Sequence, residues 1–124
     1  MTAKWAEIVE VIVPSSATSD ETVNISIKVK NILTYAFSIG VTVVVDGGYA
    51  TLTPFQTQPG ATTIFSASFV MPEHSVTITI TSWFVVSEWE WYSDDIVIKE
   101  VALEEEPEPV AVFSNFLVKS FTKV

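Results

Sequence analysis

Apolar and polar residues alternate in seven separate runs that fill the chain from Ala6 to about Leu103. Successive side chains of a β-strand point to opposite faces, so each run predicts a strand with one face in the core and one in solvent. The clearest run is TVNISIKVKN, residues 22–31. Its inward positions are expected to be Val23, Ile25, Ile27 and Val29.

Turn signals separate the runs. Asp46-Gly47-Gly48 predicts a tight turn, because glycine adopts positive φ without a Cβ clash. Pro54 is expected to end a short strand, because proline cannot donate a hydrogen bond to a neighbouring strand. The six further strands are predicted within 6–13, 36–48, 49–54, 62–72, 75–86 and 94–103.

The spacing of these runs determines the expected fold class. A strand recurs every 10 to 15 residues, turns lie between them, and no segment inside this region has a convincing helical period. That arrangement is typical of a two-sheet sandwich or a small barrel, and short connections favour antiparallel pairing. We therefore expect an all-β chain whose residues 1–103 form a single antiparallel β-sandwich domain.

The composition changes after Leu103. Residues 104–109, EEEPEP, form an acidic, proline-containing linker that is expected to be extended and solvated. Residues 110–124 are apolar again and form a predicted C-terminal docking segment that is too short to fold alone. Its spacing fits a helix and its Val and Phe content allows a strand. The residues expected to bind a partner subunit are Phe113, Phe116, Leu117 and Phe121.

The charge of the chain excludes some partners. With 15 acidic residues and 6 lysines the net charge is −9, which disfavours nucleic acid and anionic membranes. No apolar run approaches the ~20 residues that a membrane-spanning helix requires. The N-terminal stretch does not resemble a secretory signal peptide, since Glu7 and Glu10 interrupt it and Pro14 ends it.

Residues suited to catalysis are few. The chain has no Cys, no Arg and one histidine, His74, so a nucleophilic Ser or Thr has one candidate base. Glu88, Asp94 and Asp95 could serve a hydrolase. Asp46, Asp94 and Asp95 could join Glu88 or Glu90 as a hard-cation site, but no EF-hand-like spacing is present. We expect no enzyme activity, no catalytic residue, no cofactor and no metal.

The segment SEWEWYSDD is the densest polar-aromatic cluster of the chain. Trp and Tyr offer large rigid faces that suit a protein interface or a sugar ring. Such residues also commonly cover the end of a sandwich without binding anything. The candidate binding residues of this cluster are Trp89, Trp91 and Tyr92.

Two stretches resemble known modules. Residues 6–31 resemble the first strands of Ig-like, fibronectin-III-like domains of archaeal and bacterial surface proteins, and FVMPEHSVTITITSWF resembles their F-x-M-P-x-x-x-V-T-I-T segment. The resemblance implies an Ig-like sandwich, with a jelly roll as the alternative strand order. Similar isolated sandwiches are structural components of virus particles. The matching residues are Phe69, Met71, Pro72, Val76, Thr77, Ile78 and Thr79.

The expected function is that of a non-enzymatic structural protein. The leading expectation is a capsid-associated virion component that contacts copies of itself or other structural subunits through sheet edges and residues 110–124. The alternative is an extracellular adhesion or carbohydrate-binding module that uses Trp89, Trp91 and Tyr92. The expected location is accordingly the virion or the cell surface.

Overall fold

The computed structural model describes residues 3–104, and these residues form β-strands without any helix. The predicted all-β class is confirmed. No helix in this part of the chain is long and apolar enough to cross a membrane. The strands are β1 (Ala6–Ile12), β2 (Ser16–Ala17), β3 (Thr22–Asn31), β4 (Phe37–Val45), β5 (Gly48–Thr57), β6 (Thr62–Val70), β7 (Val76–Ser87) and β8 (Glu90–Leu103).

The strands form two sheets that pack face to face. One sheet has three strands in the order β1-β3-β6, and the other has five in the order β2-β8-β7-β4-β5. All pairs are antiparallel except β2 with β8. The predicted antiparallel β-sandwich is therefore confirmed.

The alternating residues of the central strands form the core. Side chains at every second position of β3, β4 and β7 point between the sheets and are buried. Burying such a side chain contributes roughly 1.5–3 kcal/mol, so these strands supply most of the hydrophobic stabilisation. The fully buried residues of the three strands include Val23, Ile25, Ile27, Val29, Ile39, Val41, Val76, Ile78 and Ile80.

The strands differ from the sequence-based prediction in three main places. Strand β5 does not end at Pro54; it continues to Thr57. It tolerates proline because β5 is an edge strand, so the missing N–H can face away from its neighbour. The prediction also missed β2, which is too short to show alternation, and it began β8 four residues late, at Asp94 instead of Glu90.

Two turns determine how β5 connects to its neighbours. Asp46 and Gly47 join β4 to β5 with φ angles of 46° and 88°, as the Asp-Gly sequence predicts for a two-residue hairpin loop. A second turn, Gln58 to Ala61, contains Gly60 at φ 76° and takes the chain from the five-stranded sheet to the three-stranded sheet. Strands β5 and β6 therefore lie side by side at one edge of the sandwich.

Hydrogen bonds accepted by two adjacent carboxylates join the sheets at the opposite edge. A bulge in β8 places Asp94 and Asp95 opposite Ser82 of β7. The buried Asp94 carboxylate accepts the backbone N–H groups of Lys4 at 2.9 Å, of Trp5 at 2.7 Å and of Ala6 at 2.7 Å.

The neighbouring groups continue this connection. Asp95 accepts the N–H of Ile8 at 2.9 Å, and the Ser82 hydroxyl donates to the carbonyl of Ala6 at 2.7 Å. The backbone N–H of Asp95 donates in turn to Ser82 Oγ at 3.0 Å. Strand β1 is thus hydrogen-bonded both to its own sheet and to the facing sheet.

The Asp94 carboxylate should therefore be a main determinant of stability. We expect Asp94→Asn to lower the free energy of unfolding by about 2–3 kcal/mol, because the amide turns its own N–H group toward buried backbone donors. Chemical denaturation measures the change.

The control is Asp20→Asn. Asp20 is exposed and has a left-handed φ of 70°, which asparagine tolerates, so its replacement should change stability by less than about 0.5 kcal/mol. Equal effects of the two substitutions would contradict the structural role assigned to Asp94.

Candidate binding surface

Two tryptophans lie together on the outer face of the five-stranded sheet. Trp83 of β7 and Trp91 of β8 have ring centroids 6.2 Å apart and an interplanar angle of 67°. The indole N–H of Trp83 donates to the hydroxyl of Thr42 at 2.9 Å, which fixes its ring against β4. The pair is therefore held in one orientation, edge to face.

Gly40 of β4 makes room for this pair. It lies directly opposite Trp83 in the strand register. A Cβ at position 40 would clash with Cζ3 of Trp91 and would lie 2.9 Å from Cγ2 of Val85. The absent side chain thus lets the Trp91 ring lie against the backbone of β4.

The apolar surface continues along β8. Ile96 pairs with Thr81 and Ile98 pairs with Thr79, on the same face as Trp83 and Trp91. The Ile96 side chain is 52% exposed and Ile98 is exposed as well. We call Trp83, Trp91, Ile96 and Ile98 the outer apolar patch.

The outer face of the three-stranded sheet carries an ion pair. Lys28 of β3 and Glu10 of β1 form an ion pair there with an Nζ–Oε1 distance of 2.8 Å. The neighbouring outward position of β3 is Ser26, which pairs with Ser66 of β6. This face also exposes Ile12, Ile64 and Val70, each paired across strands with a polar residue. The outer apolar patch differs because its two isoleucines lie on the same face as a tryptophan pair, and contiguous exposed apolar surface commonly marks an interaction site.

The structure separates the three aromatic residues that the sequence placed in one cluster. Trp89 lies in the β7–β8 turn and is 88% exposed, whereas Trp91 belongs to the outer apolar patch. Tyr92 pairs with Phe84, and both side chains point to the face of the sheet opposite the outer apolar patch. The three side chains do not form one flat platform, and their role in binding stays a prediction.

Tyr92 makes a local interaction instead. Its hydroxyl donates a hydrogen bond to the carboxylate of Glu90. This hydrogen bond and the negative charge of Glu90 raise the pKa of Tyr92 above its ordinary value. The other predicted partner-binding residues, Phe113, Phe116, Leu117 and Phe121, lie outside the described residues, as do the linker after Glu104 and the whole of 110–124.

The aspartates that could have served catalysis or metal binding lie in two places, with Asp46 away from Asp94 and Asp95. Asp94 and Asp95 accept backbone N–H groups of β1. Asp46 accepts the N–H of Thr77 at 3.2 Å and lies 3.4 Å from the exposed ring of His74. Between residues 3 and 104, no three His, Cys, Asp or Glu side chains are grouped as a metal site would require.

Trp83 and Gly40 were not among the site residues predicted from the sequence. The signal for Trp83 was available, because the alternation of Thr77, Thr79 and Thr81 on the outer face continues to position 83. The signal for Gly40 was not, because its contact with Trp91 depends on the register of three strands.

The fold is similar to several solved structures, although no family model and no curated protein matches this sequence. One is the CARDB domain of a Pyrococcus furiosus protein, in complex with di-metal ions, with 15% identity over 86% of this chain and 100% of that chain at a TM-score of 0.65. Another is the C-terminal domain of wzt, with 12% identity over 86% and 77% of the two chains at a TM-score of 0.62.

A third similar structure is the β-glucuronidase of Bacteroides uniformis, of which this chain covers only 14%. The match has 18% identity, 82% coverage of this chain and a TM-score of 0.62. The protein has an Ig-like β-sandwich fold. At these identities the likeness extends to the fold alone.

The packing of Trp91 on Gly40 makes a quantitative prediction. Gly40→Ala should lower the free energy of unfolding by about 1–3 kcal/mol, because the added methyl group displaces the indole ring. It should also weaken the near-ultraviolet circular dichroism signal of the tryptophan pair. Denaturation and circular dichroism measure the two effects.

A double-mutant cycle provides the control. In a Trp91→Ala background only the contact with Val85 remains, so Gly40→Ala should cost at least about 1 kcal/mol less there than in the wild-type background. The same cost in both backgrounds would show that Trp91 does not occupy this place.

Proposed function

We propose that this chain is a non-enzymatic structural module that makes subunit contacts through the outer apolar patch, its sheet edges and residues 110–124. The observation that carries the proposal is the exposure of Ile96 and Ile98 beside Trp83 and Trp91 on a regular sheet face. A sheet face with aliphatic and aromatic side chains can pack against another sheet at about 10 Å.

The energetics of this surface favour association. Each aliphatic side chain moved from water into an interface contributes roughly 1.5–3 kcal/mol, and tryptophan is a frequent contributor to binding energy. The ordered Trp83–Trp91 pair also loses little side-chain freedom on binding, since Thr42 and Gly40 already fix it.

The placement of the acidic residues supports a non-enzymatic role. The two adjacent carboxylates of Asp94 and Asp95 are occupied with backbone donors in a structural connection. The partner is a second copy or another structural subunit. None of the similar structures named above is a virus-particle protein, so the virion setting rests on the sequence resemblance.

A second candidate function is carbohydrate binding at a surface. The half-exposed Trp91 ring favours it, because a sugar ring can stack on an indole face. Binding on a glycan array that disappears in Trp91→Ala and persists in Trp89→Ala would favour this alternative. An array without signal would argue for the assembly role.

The assembly role predicts a specific effect of charge in the outer apolar patch. Ile96→Lys should raise the dissociation constant of the assembly about tenfold or more, because a lysine placed in an apolar contact loses its hydration. Light scattering of the full chain over a range of concentrations measures the change.

The matched control is Ile12→Lys. Ile12 is 53% exposed, close to the 52% of Ile96, but it lies on the outer face of the three-stranded sheet, where it pairs with Ser26. Its replacement should leave the mass unchanged. A wild-type chain that is monomeric at every concentration, with no other structural subunit bound, would contradict the proposed function.

A further inference from the structure

The two sheets are not closed equally at their two sides. Hydrogen bonds from backbone N–H groups of β1 to Asp94 and Asp95 hold β1 against β8 at one side, whereas β5 and β6 form the other. Several inward-facing side chains remain partly exposed at that second side. These residues are Ala50, Leu52 and Phe55 of β5 and Ala67 and Phe69 of β6.

A groove runs between the two strands at this side. One cavity of about 470 Å³ lies near Tyr49 and Phe69, and a second of about 490 Å³ lies near Leu52, Phe55 and Phe65. The hydroxyls of Thr57 and Thr63, 2.7 Å apart, join the strands next to the turn that connects them. We call this feature the β5–β6 groove.

Strand β6 offers an edge for an added strand. It is last in its sheet within residues 3–104, and its nine residues contain neither Pro nor Gly. Strand β5 is a poorer acceptor, because Pro54 lacks an N–H and an irregular register interrupts its pairing with β4. An extended segment can therefore add to β6 and direct alternate side chains into the groove.

We propose that the β5–β6 groove binds residues 110–124 of a second copy of this chain as a strand added along β6. Nine of these fifteen residues are Val, Ala, Phe or Leu, which suits a strand with one face buried among Phe55, Ala67 and Phe69. The inference rests on the proposed function and names the acceptor site for its C-terminal segment.

The exit point of the chain favours a second copy over the segment's own protomer. The N–H of Glu104 donates to Ala17 of β2, so the chain leaves the fold at the edge of the five-stranded sheet that lies farthest from β5. Three strand spacings, roughly 14 Å, separate β8 from β5.

Insertion into the same protomer would require a sharp reversal of this connection. Residues 105–109 span up to about 17 Å when fully extended, which covers this distance, but within these five residues the chain would have to reverse its direction at the end of the sandwich. The route would bring three further glutamates toward Asp46, which lines the mouth of the groove. A segment from a neighbouring protomer can enter at the opposite end of the groove, next to Thr57 and Thr63, which avoids both the reversal and the approach of the glutamates to Asp46.

A complementation experiment with full-length chains tests the proposal. Phe55→Lys blocks the groove and keeps the C-terminal segment, whereas Phe116→Lys with Leu117→Lys damages the segment and keeps the groove. Each variant alone should show at least about a tenfold weaker self-association by light scattering. Mixed in equal amounts, they should form a heterodimer, because one intact segment meets one intact groove.

Phe55→Lys has a matched control, and a second substitution charges the same groove. Tyr35→Lys replaces an aromatic residue of equal exposure, 56% against 57% for Phe55, in the loop before β4, and should not change the mass. Ala50→Lys charges the other half of the groove at an exposed position, in case Phe55→Lys does not fold.

The outcomes separate this inference from the proposed function. Variants that lose stability without a change of mass, and that do not complement each other, would show that the segment binds its own protomer and would overturn the inference. An unchanged mass for Phe55→Lys and Ala50→Lys, with a lower mass for Ile96→Lys, would overturn the inference and leave the proposed function standing. A wild-type chain that is monomeric would contradict both the inference and the proposed function.

Discussion

The hydrogen bonds between the backbone of β1 and the carboxylates of β8 determine how the two sheets pack. Asp94 is buried, and its charge is stabilised by the N–H groups of Ala6 in β1, a strand of the facing sheet, and of Trp5 directly before it. A buried carboxylate is costly unless such donors surround it, so β1 and the β8 bulge stabilise each other. Within residues 3–104 this connection closes one side of the sandwich, whereas the side of β5 and β6, joined by Thr57 and Thr63 next to its turn, keeps a groove.

Alternation along the chain was enough to predict the faces of the strands. Val23 and Ile25 are buried as expected, because side-chain parity is a local property of an extended backbone. Pairing is not local, and it explains what the sequence could not predict. Pro54 lies within a strand because β5 is at an edge, and the Asp94 donors lie about ninety residues away in the sequence.

The candidate surface, too, could be predicted only in part. Trp89, Trp91 and Tyr92 are adjacent in sequence, so they were grouped as one site, but a turn and strand alternation direct them to different surfaces. The residue that does accompany Trp91 is Trp83, from the neighbouring strand. The alternation along β7 was enough to place Trp83 on the outer face, whereas its contact with Trp91 depends on the register between β7 and β8.

The two surfaces differ in the assemblies that they allow. A contact between two outer apolar patches is self-complementary and closes as a symmetric pair, whereas a segment bound in the groove of another copy joins different surfaces. Such a contact either closes by reciprocal exchange or continues as a ring or a filament. Residues 105–109 are short, so reciprocal exchange requires two grooves within about 17 Å of the chain exits. In a contact that continues in one direction, each row ends with one unfilled groove and one free segment, because the exit and the groove lie at different edges of the protomer, and the outer apolar patch would remain free to join neighbouring rows.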